Sequence, residues 1–337
     1  MLETFLHDGG ALAADLDPDY AQLWRSMGRA SRGGKRFRPA LVTGAYQALG
    51  GHDLALAQHV GDAIELLHTG FVMHDDVIDR DEIRRGELNV SGTFAHRALA
   101  SGARADKAEL LGQTAGILAG DLALVGATRM MALAPTGPET VRRLLDLLER
   151  AVQVTAAGEL ADVRFSLDLG DPTLGEVLTM AEHKTAVYSF ELPLQAAAVL
   201  AGAPQEISGR LSEVGRMVGI AFQLVDDLLG VFGDEEVTGK STVTDLREGK
   251  VTPLIAYART TACWATIAHD VGDPHLTAER ARHVRDVLES CGARSAIEDL
   301  ATDYVSTALS VTANLPVPER FRAWIADMTA TAVQRAA

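Results

Sequence analysis

Cysteine is nearly absent from this chain. Cys263 and Cys291 are the only two in 337 residues, and neither stands in a Cys-x-x-Cys or other ligand spacing. That excludes a disulfide framework and a thiolate metal site, and it points to a reducing compartment. Positive charge is also short: 31 Lys and Arg face 46 Asp and Glu, for a formal net charge of -15 and a pI near 5.1. Such a balance argues against a general affinity for nucleic acid or anionic membrane. No run approaches the ~18 apolar residues of a membrane span, and Met1 to Gly10 lacks a basic segment followed by an apolar stretch. A cytoplasmic location is expected.

What the chain does have is apolar residues, 47% of the total against 23% charged, enough for a large core without metal or disulfide. They recur at spacings of three and four, Ala and Leu are abundant, and alternating strand-like runs are scarce. This is the pattern of amphipathic or fully buried helices. The expected fold is all-α, a single domain over 1–337 in which long antiparallel helices surround a central cavity. Helices are expected over roughly 54–80, 108–133, 138–165, 173–199 and 208–232. Asp17-Pro18 reads as a cap and first helical residue, and Thr136 to Glu139 and Thr173 to Glu176 read as capping boxes. No solenoid repeat is visible, but two Asp-Asp motifs lie about 150 residues apart.

The first acidic motif, His74-Asp75-Asp76-Val77-Ile78-Asp79, ends an apolar helical run. Asp75 and Asp79 are four apart and stack on one face, with Asp76 beside them. Three carboxylates so close repel one another unless divalent cations neutralise them, although a solvated acidic helix end fits the residues equally well. In the second motif, Gln223, Asp226 and Asp227 fall at i, i+3 and i+4 among apolar neighbours, where unpaired charge is costly. Hard oxygen ligands on two such helices suit Mg²⁺ shared with substrate phosphates.

Cations complete the pattern. Ser31 to Pro39 places Gly33 and Gly34 before Lys35 and Arg38, a loop suited to wrapping a phosphate. Arg84-Arg85-Gly86 follows the first acidic motif, Lys184-Thr185 lies in a helical segment, and Lys240 and Lys250 lie in a Gly-rich stretch beyond the second acidic motif. Each alone is more often a solvated surface charge than a ligand contact. Together, two acidic stations and several cationic ones describe a site for two polyphosphates, one bound through metal and one through cations.

At this point the chain resembles the trans-isoprenyl diphosphate synthases, the polyprenyl synthetase family. The matching residues are GGKRFRP (33–39), ELLH (65–68), HDDVID (74–79), RRG (84–86), GD (120–121), HKTA (183–186), FQLVDD (222–227) and GK…DL…K (239–250), in the family's order. The resemblance implies an enzyme that joins isopentenyl diphosphate to an allylic diphosphate using three Mg²⁺ ions. It implies that Asp75 and Asp79 ligate metal with Asp76 in support, and that Asp226 holds the third ion. Arg84, Lys184, Thr185, Gln223, Lys240 and Lys250 are implied at the allylic diphosphate, and Gly34, Lys35, Arg38, His68 and Arg85 at isopentenyl diphosphate. A homodimer is implied by the family alone.

Two residues depart from the family pattern. Gly230 stands where a third aspartate is usual, and Glu159 replaces a glutamine in Gly158-Glu159-Leu160-Ala161-Asp162. Three rival readings are weaker. A class I terpene cyclase has no second diphosphate to hold and no use for the Gly33 to Arg38 loop. A di-iron bundle needs a second Glu-x-x-His besides Glu65-x-x-His68. A regulatory subunit has no need of an intact first acidic motif. The resemblance also bears on product length, because in the family aromatic residues five and four before Asp75 limit the tail: with Phe71 filled and Gly70 leaving space, geranylgeranyl diphosphate is favoured over farnesyl diphosphate, the alternative being that Phe71 is core packing and residues near Leu118 or Val154 set the floor.

Overall fold

The computed structural model describes residues 1–32, 36–167, 169–233 and 242–333. Among these residues the protein is all-α apart from one two-stranded hairpin. The chain divides into two compact units, Met1–Leu148 with Val199–Ala201, and Glu149–Ala198 with Gly202–Ala337.

In the first unit, α1 (Leu2–Leu16), α2 (Pro18–Arg32), α3 (Phe37–Ala48), α4 (Leu54–Ile78), α5 (Val90–Ala100) and α6 (Ala105–Ala132) gather around α4, and α7 (Pro138–Ser166) begins here. Strands β1 (Ile83–Arg84) and β2 (Glu87–Leu88) form the hairpin after α4. Helix α4 is buried on nearly every side, with Ile64, Leu66, Leu67 and Met73 almost fully enclosed, as its continuous apolar run requires. Its close partner is the small-residue face of α6. A Cβ at Gly116 would strike Val77, and one at Gly120 would strike the ring of His74. Leu110, Leu111, Ile117, Leu118 and Val125 stay exposed on α6. Helix α6 is also the one described helix long and apolar enough to cross a membrane, because Gly and Ala leave few positions for charge, and 44% of that window is buried.

In the second unit, α8 (Leu174–Ala181) runs into a π-helix (Glu182–Glu191) and then α9 (Leu192–Leu200). Helices α10 (Gln205–Phe232), α11 (Thr244–Glu248), α12 (Pro253–Arg259), α13 (Trp264–Ile267), α14 (Ala278–Ser290), α15 (Ala293–Ala313) and α16 (Glu319–Val333) follow. The core packs Leu224, Leu228 and Val231 of α10 against Leu254, Val284 and Ile297.

Two of the three expected caps are present. Asp17 accepts from the backbone N–H groups of Asp19 and Tyr20, and Thr173 and Glu176 form a reciprocal capping box. At α7 the chain differs. The Gly137 carbonyl takes the first helical bond from Val141, and Glu139 turns to Arg142 instead of reaching back to the chain start.

Candidate active site

In the first unit the last turn of α4 carries the acidic motif. The backbone N–H of Asp79 donates to the Asp75 carbonyl at 2.8 Å, which fixes the two residues one turn apart on one face. Asp76 is buried, Asp75 half-buried and Asp79 exposed. Arg84, delivered by β1, donates through Nε to Asp76 at 2.6 Å and through Nη2 to Asp75 at 3.1 Å. The hairpin explains its aim. Arg85 and Gly86 both take left-handed φ values, 56° and 78°, as a tight two-residue hairpin turn requires. A left-handed φ costs a non-glycine residue about 1 kcal/mol, so the fold spends stability to set the two arginines at this place.

Burial pushes the Asp76 carboxyl up to about 6 even though Arg84 draws it down. A divalent cation beside Asp75, Asp76 and Asp79 would favour their charged form, and the donors are the hard oxygens such an ion takes. Among the described residues no group of three or more His, Cys, Asp or Glu side chains is gathered as a ready cage.

Asp76 and Arg84 also line a cavity of about 270 Å³ that runs back along α4 to Glu65, His68 and Thr69, with Arg85 and Arg29 at its wall. Pro39 is pressed onto Gly61 of α4, where a Cβ would stand 2.8 Å from the Pro39 Cα. This close crossing brings the Arg36 to Arg38 segment up to α4. Arg36 is tied to Asp62 at 2.6 Å. His68 is held well below the ordinary histidine value by burial and then by the charges of Arg38, Arg85 and Arg84, so its ring is neutral at pH 7. Burial raises Glu65 despite Arg38, Arg36 and Arg85. Arg29, Arg84 and Arg85 thus share the lining with Glu65, Asp76 and Glu87, so cations and carboxylates meet in one cavity. Gly34 and Lys35 lie outside the described residues, as does Lys240.

In the second unit Lys184 sits in the π-helix, not in a regular α-helix as expected. Its ammonium donates to Asp162 at 2.6 Å and Glu159 at 3.1 Å. Thr185, beside it, is half-buried. Helix α10 approaches the π-segment through glycines: a Cβ at Gly219 would strike Ala186, and one at Gly215 would stand 2.6 Å from the Glu191 Cα. Farther along α10, the Gln223 amide donates to Asp227 at 2.9 Å, while Asp226 is half-buried. Burial raises Asp227 to about 7, with Lys250 and the Gln223 bond opposing it and Asp226 and Asp245 adding to it. Sequence reasoning missed Asp245. Its carboxylate occupies the space over Gly230, so the position lacking a third aspartate is where another element lays an acidic side chain.

The reading of Gly70 needs correction. Gly70 does not leave space beside Phe71. It faces α6, and a Cβ there would lie 3.1 Å from Leu124 Cδ2, 3.2 Å from the Gly120 carbonyl and 3.3 Å from Ala123 Cβ. Phe71 is half-buried.

A family model described as polyprenyl synthetase matches residues 23–281, most of the chain. The chain belongs to the polyprenyl synthetase family. Among curated relatives, the family resemblance extends to a geranylfarnesyl diphosphate synthase of Aeropyrum pernix, 33% identical over 84% of each chain. A geranylgeranyl diphosphate synthase of Methanosarcina mazei is 32% identical over 81% of this chain and 77% of its own. Among solved structures, a geranylgeranyl pyrophosphate synthase of Corynebacterium glutamicum, complexed with isoprenyl diphosphate and magnesium, superposes with a TM-score of 0.90 at 27% identity. It covers 99% of this chain and 96% of that one.

Proposed function

We propose that this protein, a trans-prenyltransferase of the polyprenyl synthetase family, condenses isopentenyl diphosphate head-to-tail with an allylic diphosphate to give a short all-trans prenyl diphosphate. The observation that carries this reading is the pairing on α4. A carboxylate station, Asp76 with Arg84, opens onto one cavity with Arg85 and a neutral His68 in the field of Arg38. Such a pair accepts two diphosphates by different chemistry, one through metal and one without it. A cyclase would need only the first.

In this reading Asp75 and Asp79 hold Mg²⁺ with Asp76 in support, and Asp226 of α10 holds a third ion. Bound Mg²⁺ supplies charge stabilisation to the leaving diphosphate. Arg84, Lys184, Thr185, Gln223, Lys240 and Lys250 serve the allylic diphosphate. Arg38, Arg85 and His68, with Gly34 and Lys35, serve isopentenyl diphosphate, and the neutral ring of His68 donates one hydrogen bond without adding charge. The released diphosphate takes the proton lost after condensation, so no protein nucleophile is required. The whole chain, 1–337, serves as one catalytic domain.

Geranylgeranyl diphosphate is the favoured product, supported by relatives of that name, while Gly70, packed against α6, no longer contributes to the choice. A homodimer formed through the outer face of α6 would cover Leu110, Ile117, Leu118 and Val125, of which Val125 is 67% exposed. A cytoplasmic location accords with the paucity of cysteine.

The test is incubation of purified protein with isopentenyl diphosphate and each allylic primer, with and without Mg²⁺, followed by product analysis. Chain-extended diphosphates that require both substrates and Mg²⁺ are expected. A cyclised hydrocarbon from the allylic substrate alone would overturn the reading.

A further inference from the structure

Lys184 is held more firmly than a diphosphate ligand needs to be. Its ammonium lies between Asp162 and Glu159, and the three side chains are only 18%, 14% and 21% exposed. Glu159 and Asp162 are three residues apart on α7, so they present both carboxylates on one face. Next to them Gly158 lets α7 reach the backbone of the π-segment, where any side chain would collide with Lys184. The lysine is thus fixed at its backbone and at its tip.

One carboxylate would suffice to pair the ammonium, and an amide at 159 would accept the same hydrogen bond. What the carboxylate of Glu159 adds is therefore a charge. Asp162 is not wholly available to Lys184, because it also bears on Lys250, together with Asp227 and Asp245. Glu159 gives Lys184 a second anionic partner in a site mostly closed to water, where charges are weakly screened.

We propose that Glu159 is a positioning residue for the prenyl transfer proposed above: with Asp162 it holds the Lys184 ammonium in place and offsets its charge, weakening the pocket's hold on a resting diphosphate and so easing departure of the released one. This inference rests on the reading of Lys184 as a diphosphate contact. Loss of one partly buried charge beside the binding cation changes anion affinity by about tenfold.

The test is calorimetric titration of inorganic diphosphate with Mg²⁺ into the wild-type protein and into Glu159→Gln, Glu159→Asp and Glu159→Ala, with thermal unfolding measured alongside. Glu159→Gln should bind diphosphate about tenfold more tightly, at near wild-type thermal stability, and should lower both kcat and the KM for the allylic substrate. Glu159→Asp, which keeps the charge, should stay close to wild type. Glu159→Ala should also bind more tightly, whereas a purely structural role would make both neutral variants bind more weakly. Unchanged or weaker diphosphate binding in the neutral variants, with the wild type binding normally, overturns the role of Glu159 alone. Failure of the wild type to bind diphosphate overturns the reading of the site and this inference with it.

Discussion

Gly158→Ala is a small change with a large expected consequence. A methyl carbon there would lie 2.6 Å from the His183 carbonyl carbon and 2.7 Å from the Lys184 Cα, with the Lys184 backbone nitrogen nearer still. Comfortable contact between carbon atoms begins near ~3.5 Å, so the overlap is about 1 Å. The obstacle is backbone on both sides, and no rotamer change relieves it. Helix α7 and the π-segment must separate by about that distance, and overpacking of this kind costs about 1–3 kcal/mol. The effect on turnover should be larger than the effect on stability. Lys184 moves with the π-segment, and about 1 Å of misplacement at a reacting centre costs about 10²-fold in rate. The assay is isopentenyl transfer into product at saturating substrates, beside urea unfolding. Gly209→Ala is the control: Gly209 is on the exposed face of α10 with nothing within 4 Å, and the substitution should stabilise by about 1 kcal/mol without changing turnover. Wild-type turnover in Gly158→Ala would refute the argument that close contact of these two backbones sets the position of Lys184.

Three other outcomes follow from the site. Arg38→Ala should raise the KM for isopentenyl diphosphate well above its effect on the allylic KM, measured by varying each substrate in turn, and equal effects would contradict a division into two stations. Glu191 is buried with one oxygen on Ser212 at 2.6 Å, and burial raises its carboxyl although Ser212 and Arg216 oppose the rise. A raised carboxyl stabilises the fold below its unfolded value and loses that contribution as pH climbs through the folded one. Glu191→Gln should therefore gain on wild type in denaturant midpoint as pH rises above the usual glutamate range, and a difference constant with pH would count against it. Phe71→Ala should shift products toward longer chains by chromatographic analysis, and an unchanged distribution at normal stability would remove Phe71 as the floor of the tail pocket.

The long helices were legible because they rest on local signals. The segment expected at 54–80 is α4 at Leu54–Ile78, and that expected at 138–165 is α7 at Pro138–Ser166, each marked by apolar spacing and by breakers at its ends. The hairpin after α4 had only half a signal, since Gly86 suits the second place of a two-residue turn but Arg85 is not the Asn, Asp or Gly preferred before it, and its two-residue strands are too short for periodicity to reveal. The π-helix had none. Its 10 residues are too few for a wider turn to show as a different apolar period, and what accompanies it is the press of Gly158, Gly215 and Gly219 from neighbouring helices.

Gly70 marks the boundary of what one helix can say. A helical wheel gives the direction of residue 70 relative to Asp75, but not the distance to the next helix. On the wheel the glycine is space, whereas in the fold α6 comes close enough to fill it. Gly230 is the same case reversed: a missing carboxylate on α10 is met by Asp245 from α11. In both places a glycine marks where another element sits. Glycines in long apolar helices of such a chain are therefore better read as addresses for a neighbour than as openings for a substrate, and Gly70→Ala should loosen the α4–α6 contact before it alters product length.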